Sequence, residues 1–382
     1  MKNNGMQGLS LLLVIMAISS FTYFFVERVS AQENSPADLE ETQETISIFL
    51  PRVYSSISAN PTPTPTPPPF EIPEGMIYVD HRSVELFERI PDSYLAEARS
   101  LRMLFADRSV GQNINEALSC FTATSWATAP AYCRRDYTEI IGSIWNWKTF
   151  SLDDYLNNRV PDRILFSPDP VRYNRSNWTY DWATGTWDEI VGIFIQQLVP
   201  QYVSTKDVLS FQFSYLNIEP GSNIASLSDG FFVDLPSNYY GSSRVRWDIS
   251  DIEKFEADHP NKVFIYWTTS LARSLGSPEG TAFNNQMRAY AIANEKIIFD
   301  VADILSHDDR GNPCYDNRDG IEYCTMAGTC ENHPNDGMLF PAICQDYTTE
   351  TDGGHLGSVS AGGLRVAKAF WVLMAMIAGW EG

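Results

Sequence analysis

The stretch "LRMLFADRSVGQNI" (101–114) carries the decision about fold. An apolar run, Met103 to Ala106, meets Asp107, Arg108 and Ser109, and a segment able to open a helix follows. A short apolar run of this kind suits a strand buried on both faces. Ser109 then has two readings. It is a helix cap after a strand, because its hydroxyl satisfies a free N–H of the first turn, or it is a nucleophile held at the edge of a sheet.

Working outward, the same alternation recurs. "DVLSFQFSYLNI" (207–218), "KVFIYWTTSLA" (262–272) and "EKIIFDVADI" (295–304) are expected strands. Helical stretches precede or separate them: "SVELFERI", "DSYLAEARSL", "WDEIVGIFIQQLVPQY" (187–202), "SDIEKFEADHP" (250–260) and "TAFNNQMRAYAIANE" (281–295). Ser250 with Glu253 three residues on has the spacing of a capping box. Strand and helix in alternation predict an α/β fold, a three-layer α/β/α sandwich around a mostly parallel sheet. Sites in such sheets form at the carboxyl ends of strands, which selects the loops to inspect. "LGSVSAGGLRVAKAFWVLMAMIAGW" (356–380) is expected to be a core helix following its glycines, since its apolar part is short for a bilayer span.

The chain has 382 residues, 44% hydrophobic and 13% aromatic, with a formal net charge of −21. That composition is globular. The acidic balance excludes a nucleic-acid partner, which needs a surplus of Lys and Arg against phosphate. Residues 1–31 form a signal peptide or N-terminal anchor: Lys2, the apolar run 9–26, then "RVSAQ" with a possible cut after Ala31. Either form puts the remainder outside the cytoplasm, secreted or held at a membrane only by that segment. Residues 32–75 are a linker containing "PTPTPTPPP" (61–69), extended and semi-rigid because alternating prolines fix φ and remove donors. The domain spans 76–382. The six cysteines suit an oxidising compartment. Cys120 with Cys133 and two bridges among Cys314, Cys324, Cys330 and Cys344 are expected, with a zinc site as rival for the later group; that group lacks a Cys-x-x-Cys pair.

Of the five histidines, His259 and His333 lie in turns or loops, His81 precedes the sheet and His307 follows a strand end. His355 stands apart in "TDGGHLGSVSAGG", with Asp352 three residues before it. On a tight turn such a pair shares one face. Asp352 would orient the imidazole and stabilise its charged form, and His355 would take a proton from a hydroxyl. A loop Asp and His without chemistry is the other reading, and a metal-ligand role a third. Order strengthens the pair: Ser109 follows the first strand of the sheet, and Asp352–His355 follows the last strand and precedes the terminal helix.

"LFADRSVGQNI" and "TDGGHLGSVSAGGLRVAKAF" together resemble the first and last sequence blocks of the SGNH hydrolases, the GDSL esterase/lipase superfamily, in a divergent Ser-Val-Gly branch. "IIFDVADILSHDD" (297–309) and "FQFSYLNI" (211–218) are similar to segments of that branch. The likeness covers most of residues 76–382. It implies a three-layer SGNH, flavodoxin-like fold. It also implies Ser109 as nucleophile, His355 as base, Asp352 as its acid, and an oxyanion hole from the Ser109 N–H, a glycine N–H and an asparagine side chain. Gly142 in "EIIGSIWNW" and Asn217 at the end of "FQFSYLNI" are the candidates, with Asn146 as an alternative donor.

Two departures from the family pattern bear on the site. Asp107-Arg108-Ser109 replaces Gly-Asp-Ser, and the Gly-x-Asn-Asp block is absent. Arg108 would bind an anionic substrate or pair with a surface acid. The aromatics of "GSIWNWKTF" (142–150) and "NRSNWTYDWATGTWDE" (174–189) would stack on sugars or cover a core; "NRS" and "NWT" match N-glycosylation acceptors. The expected function is an exported serine esterase acting on carboxylic esters, with O-acetyl groups on extracellular glycans as the leading substrate. No metal or organic cofactor is expected. A lipid esterase, or a non-catalytic carbohydrate-binding or cell-surface protein on the same fold, are the alternatives.

Overall fold

The computed structural model describes residues 71–123, 135–141, 144–149, 169–218, 221–226, 230–232, 246–271, 277–324, 330–344, 347–348, 356 and 360–382. All belong to one compact unit, Ser58–Gly382. The expected export segment and most of the linker lie outside the described residues, as does Cys133.

The chain enters through β1 (Tyr78–Val79), a 3₁₀ helix (His81–Arg89) and α1 (Asp92–Ser100), then β2 (Met103–Asp107) and α2 (Ser109–Phe121). A separate antiparallel hairpin follows, β3 (Arg135–Ile141) and β4 (Ile144–Thr149). Next come β5 (Trp178–Trp182), α3 (Trp187–Ile193) and α4 (Val199–Tyr202), the helices joined by a π-helical turn. The remaining sheet elements are β6 (Val208–Phe211), α5 (Ile249–Asp258), β7 (Val263–Trp267), α6 (Ser277–Ala293) and β8 (Ile298–Phe299). After α7 (Val301–Leu305), four short strands precede α8 (Ala361–Ile377): β9 (Tyr315–Asn317), β10 (Glu322–Cys324), β11 (Cys330–Asn332) and β12 (Leu339–Pro341).

Six strands form one sheet in the order β1-β8-β7-β6-β2-β5. Every pairing in it is parallel. The protein is thus an α/β protein with helices on both faces of a parallel sheet. Alternate residues of each strand feed two different cores, as the two-residue strand period requires. Met103, Phe105, Val208, Ile265, Trp267 and Phe299 join α1, α2, α8 and the 3₁₀ helix on one face. Leu104, Ala106, Leu209, Phe211, Phe264, Tyr266 and Ile298 join α3, α5 and α6 on the other.

The terminal helix is the expected core helix, and Trp371 is fully buried in it. It starts earlier than expected, with Gly362 and Gly363 inside its first turn. A Cβ on Gly362 would lie 2.5 Å from the Tyr347 carbonyl oxygen, so only glycine allows this approach. No helix among the described residues is long and apolar enough to cross a membrane.

Five expectations need correction. The strand before Ser109 is the second of the sheet in chain order, because Tyr78–Val79 precedes it and pairs at the edge. The strand in "DVLSFQFSYLNI" stops at Phe211, and Tyr215–Asn217 is a 3₁₀ turn started by the Ser214 hydroxyl, which accepts from the Leu216 N–H. "EKIIFDVADI" is strand only at Ile298–Phe299, because the Asp300 carboxylate caps α7 by accepting from the Asp303 N–H. Asp248 rather than Ser250 caps α5, its box closed by Asp251. "WTYDW" is a strand, where only loop aromatics were expected. Its Trp178 is buried against Trp371, rings 4.4 Å apart, while Trp182 stays half exposed. Cys314 and Cys344 form the expected kind of bridge within the later group. Cys120 and Cys330 are also disulfide-bonded.

Candidate active site

In sheet order, β5 and β6 flank β2, although in sequence both come after it. The chain therefore steps to one side of β2 and then crosses to the other. The connections diverge there, and a crevice opens outside the carboxyl ends of the strands. Three turns surround it, one from each strand.

The β2 turn carries Ser109. Arg108 occupies the N-cap position and Ser109 is the first residue of α2, so the serine is not the helix cap. No side chain caps this helix. Its N-terminus is the positive end of the helix dipole. The turn is held from β5, where the Tyr180 hydroxyl donates to the Arg108 carbonyl at 2.8 Å. Beneath it lies Asp107, fully buried. Its oxygens lie near the N–H groups of Arg108 and Gly111 without a hydrogen bond of full geometry. Burial pushes its carboxyl up to about 7; those N–H groups and the Arg108 charge oppose the rise. Gly111 is needed here, since a Cβ would come within 2.4 Å of the Asp107 Cβ. The Ser-Val-Gly sequence thus has a steric reason.

The β6 turn carries Asn217, which is 4% exposed. Its Oδ1 accepts from the Ser214 N–H at 2.7 Å, and its Nδ2 donates to the Gly185 carbonyl at 2.5 Å. Gly185 belongs to the third turn, after β5, and has φ +141°. Glu189 fixes this turn, its Oε2 accepting from the Thr186 N–H at 2.7 Å. A Cβ on Gly185 would lie 2.7 Å from that same oxygen. The asparagine amide thus joins the turns on either side of β2, and one of its two N–H groups is not needed for that bond.

Next to these turns is a cleft of about 830 Å³, lined by Arg108, Gly185, Trp187, Asp188, Asn217 and Arg246 among others. Ser109 is adjacent to this lining through Arg108 rather than part of it. The Arg108 guanidinium makes no hydrogen bond or ion pair among the described residues, so no described acid holds it. Arg246 lies over the Trp187 ring, 5.5 Å from its centroid.

Of the residues expected from sequence, Ser109 and Asn217 stand at the ends of adjacent, paired strands. Asn146 lies on β4, in the separate hairpin rather than the six-stranded sheet. Gly142, Asp352 and His355 lie outside the described residues. Sequence reasoning missed Gly185 and Tyr180. The available signal was "GTWDE", a glycine before a Thr-x-x-Glu box at a helix start. Comparison with family models, curated proteins and solved structures returned no match to this chain.

Proposed function

We propose that the protein is an exported serine esterase of SGNH type. The supporting observation is the position of Ser109, first residue of a helix at the switch point of a parallel sheet, flanked by the linked Asn217 and Gly185 turns. Counted from β2, the order β5-β2-β6-β7-β8 also has the doubly wound 2-1-3-4-5 form.

In this reading the Ser109 hydroxyl attacks the ester carbonyl while His355, oriented by Asp352, takes its proton. The oxyanion is held by the Ser109 N–H, the Asn217 amide and a glycine N–H, with Gly185 taking the part first given to Gly142. His355 then returns the proton to the leaving alkoxide, which departs as an alcohol. Water, deprotonated by His355, attacks the acyl-enzyme; the bond from the acyl carbon to Ser109 Oγ breaks, His355 returns the proton to that oxygen, and the acid is released. Two guanidinium groups on the cleft wall, Arg108 and Arg246, favour an ester whose carrier bears negative charge, such as an acidic O-acylated glycan.

The full chain is expected to hydrolyse aryl acetates and to be labelled by a fluorophosphonate. Ser109→Ala abolishes both, and His355→Ala abolishes turnover. Wild-type protein that neither turns over nor takes the label is a binding protein on this fold, and the reading fails.

A further inference from the structure

A second cluster of chemistry-bearing side chains stands on the same rim of the sheet, away from the cleft. β1 and β8 are neighbours, with Val79 opposite Phe299, so the segments leaving them run side by side. His81 opens the 3₁₀ helix after β1; Asp303 lies on α7 after β8, and His307 follows it by one helical turn. The His81 N–H donates to Asp303 Oδ1 at 2.9 Å, and His81 Nδ1 meets the same oxygen. His307 Nδ1 is 2.9 Å from the Asp303 main-chain carbonyl and 3.4 Å from its Oδ2. The two imidazoles lie face to face, centroids 3.9 Å apart and planes 12° off parallel. One donor atom from each of the three side chains lies within 4.8 Å of the other two.

We propose that His81, Asp303 and His307 form a binding site for a divalent transition-metal cation of the zinc type. Two imidazoles and one carboxylate are the donor set such cations take with positions left open, whereas magnesium and calcium select all-oxygen sets. The three side chains are gathered before any cation arrives, and binding would replace the His81 Nδ1–Asp303 contact and turn the stacked rings toward one point. A backbone N–H holds Asp303, and a main-chain carbonyl orients His307 through Nδ1, the outer contact that sets which imidazole nitrogen faces a metal.

The site is also accessible. His81, Asp303 and His307 keep about a fifth of their side-chain surface exposed, at 20%, 22% and 20%. Gly311, at φ +78°, leaves room beside His81: a Cβ there would approach Nε2 only to 3.8 Å. Two of the nearby cations are already matched. Arg82 pairs with Asp80 at 2.5 Å and Arg365 with Asp309 at 3.1 Å.

β8 is three positions from β2, roughly 14 Å at about 4.8 Å per strand. The site is therefore separate from the Ser109 turn. A bound cation would tie the two-residue edge strand β1 to α7.

The test uses the full chain stripped with a chelator and titrated with Zn²⁺ by calorimetry and with Co²⁺ by visible absorption. One equivalent of Zn²⁺ is expected, undisplaced by excess Mg²⁺ or Ca²⁺, with a rise in thermal midpoint. His81→Gln and His307→Gln each weaken binding at least about tenfold and remove that rise; His259→Gln, at the end of α5, does neither. The Co²⁺ spectrum of wild-type protein does not depend on any variant folding. A spectrum like that of the aqueous ion overturns the proposal, as does Zn²⁺ binding equal in wild type and both variants.

Discussion

Replacing Asp107 by Asn is predicted to stabilise the protein in a way that depends on pH. The carboxyl is fully buried and raised from 3.8 to about 7. Between those values the folded chain keeps a proton that the unfolded chain has released. Stability therefore falls as pH rises through that window and levels off above it. The gap is about three pH units, worth about 4 kcal/mol at roughly 1.36 kcal/mol per unit. Asn has nearly the same shape and cannot ionise. Relative to wild type, Asp107→Asn gains about 4 kcal/mol on going from about pH 4 to about pH 8, and little beyond. The assay is urea unfolding of both proteins at a series of pH values, read by tryptophan fluorescence. Every other carboxylate is common to the two proteins and largely cancels in the difference. A difference that stays flat to within about 1 kcal/mol, or that falls with pH, refutes the assignment of Asp107 as a buried, desolvated acid.

In the proposed mechanism Asn217 is an oxyanion donor, so with Asn217→Ala kcat should drop on the order of a hundredfold with KM for an aryl acetate little changed. Arg108→Gln should raise KM for an anionic ester and leave a neutral aryl ester unaffected, as steady-state kinetics on a matched pair would show. Arg288→Met strands the buried Asp300 carboxylate, which now receives Arg288 through two nitrogens at 2.6 and 2.8 Å. Denaturant unfolding should register a loss of about 3–5 kcal/mol. Gly362→Ala forces a Cβ toward the Tyr347 carbonyl and should cost about 1–3 kcal/mol in the same measurement.

The parts legible from sequence were those set by local pattern. The apolar run of β2, the helical periods of α3 and α6 and the buried terminal helix all follow from side-chain spacing. What the pattern misread was set by distant partners. "IIFDVADI" looks like one long strand, but Asp300 ends it by capping α7 while bonded to Tyr78, Thr268 and Arg288. β5 was hidden because, among the described residues, its five residues pair with β2 alone, at the sheet edge, and aromatics in a row fit a loop as well as an edge. The same division holds at the site. Ser109 was singled out by its place after an apolar run, and Asn217 as a candidate by the resemblance together with its place after one. The turn at Gly185 had a local signal in "GTWDE", but its bond to an amide 32 residues away had none.

The Cys314–Cys344 bridge has a consequence for how this chain tolerates change. Its Cα atoms are 5.3 Å apart across 30 residues. The Cys314 N–H donates to the Ser306 carbonyl at 2.7 Å, and the Cys344 N–H to the Leu305 carbonyl at 3.0 Å. Strands β9 to β12 thus leave and rejoin the protein at a single point on the end of α7. Consecutive Cα atoms are about 3.8 Å apart, so one or two residues span the same gap. The part of the excursion before β12 is therefore expected to accept a shorter or foreign hairpin, whereas β12, which packs on α6, and the buried Ile343 after it must be kept.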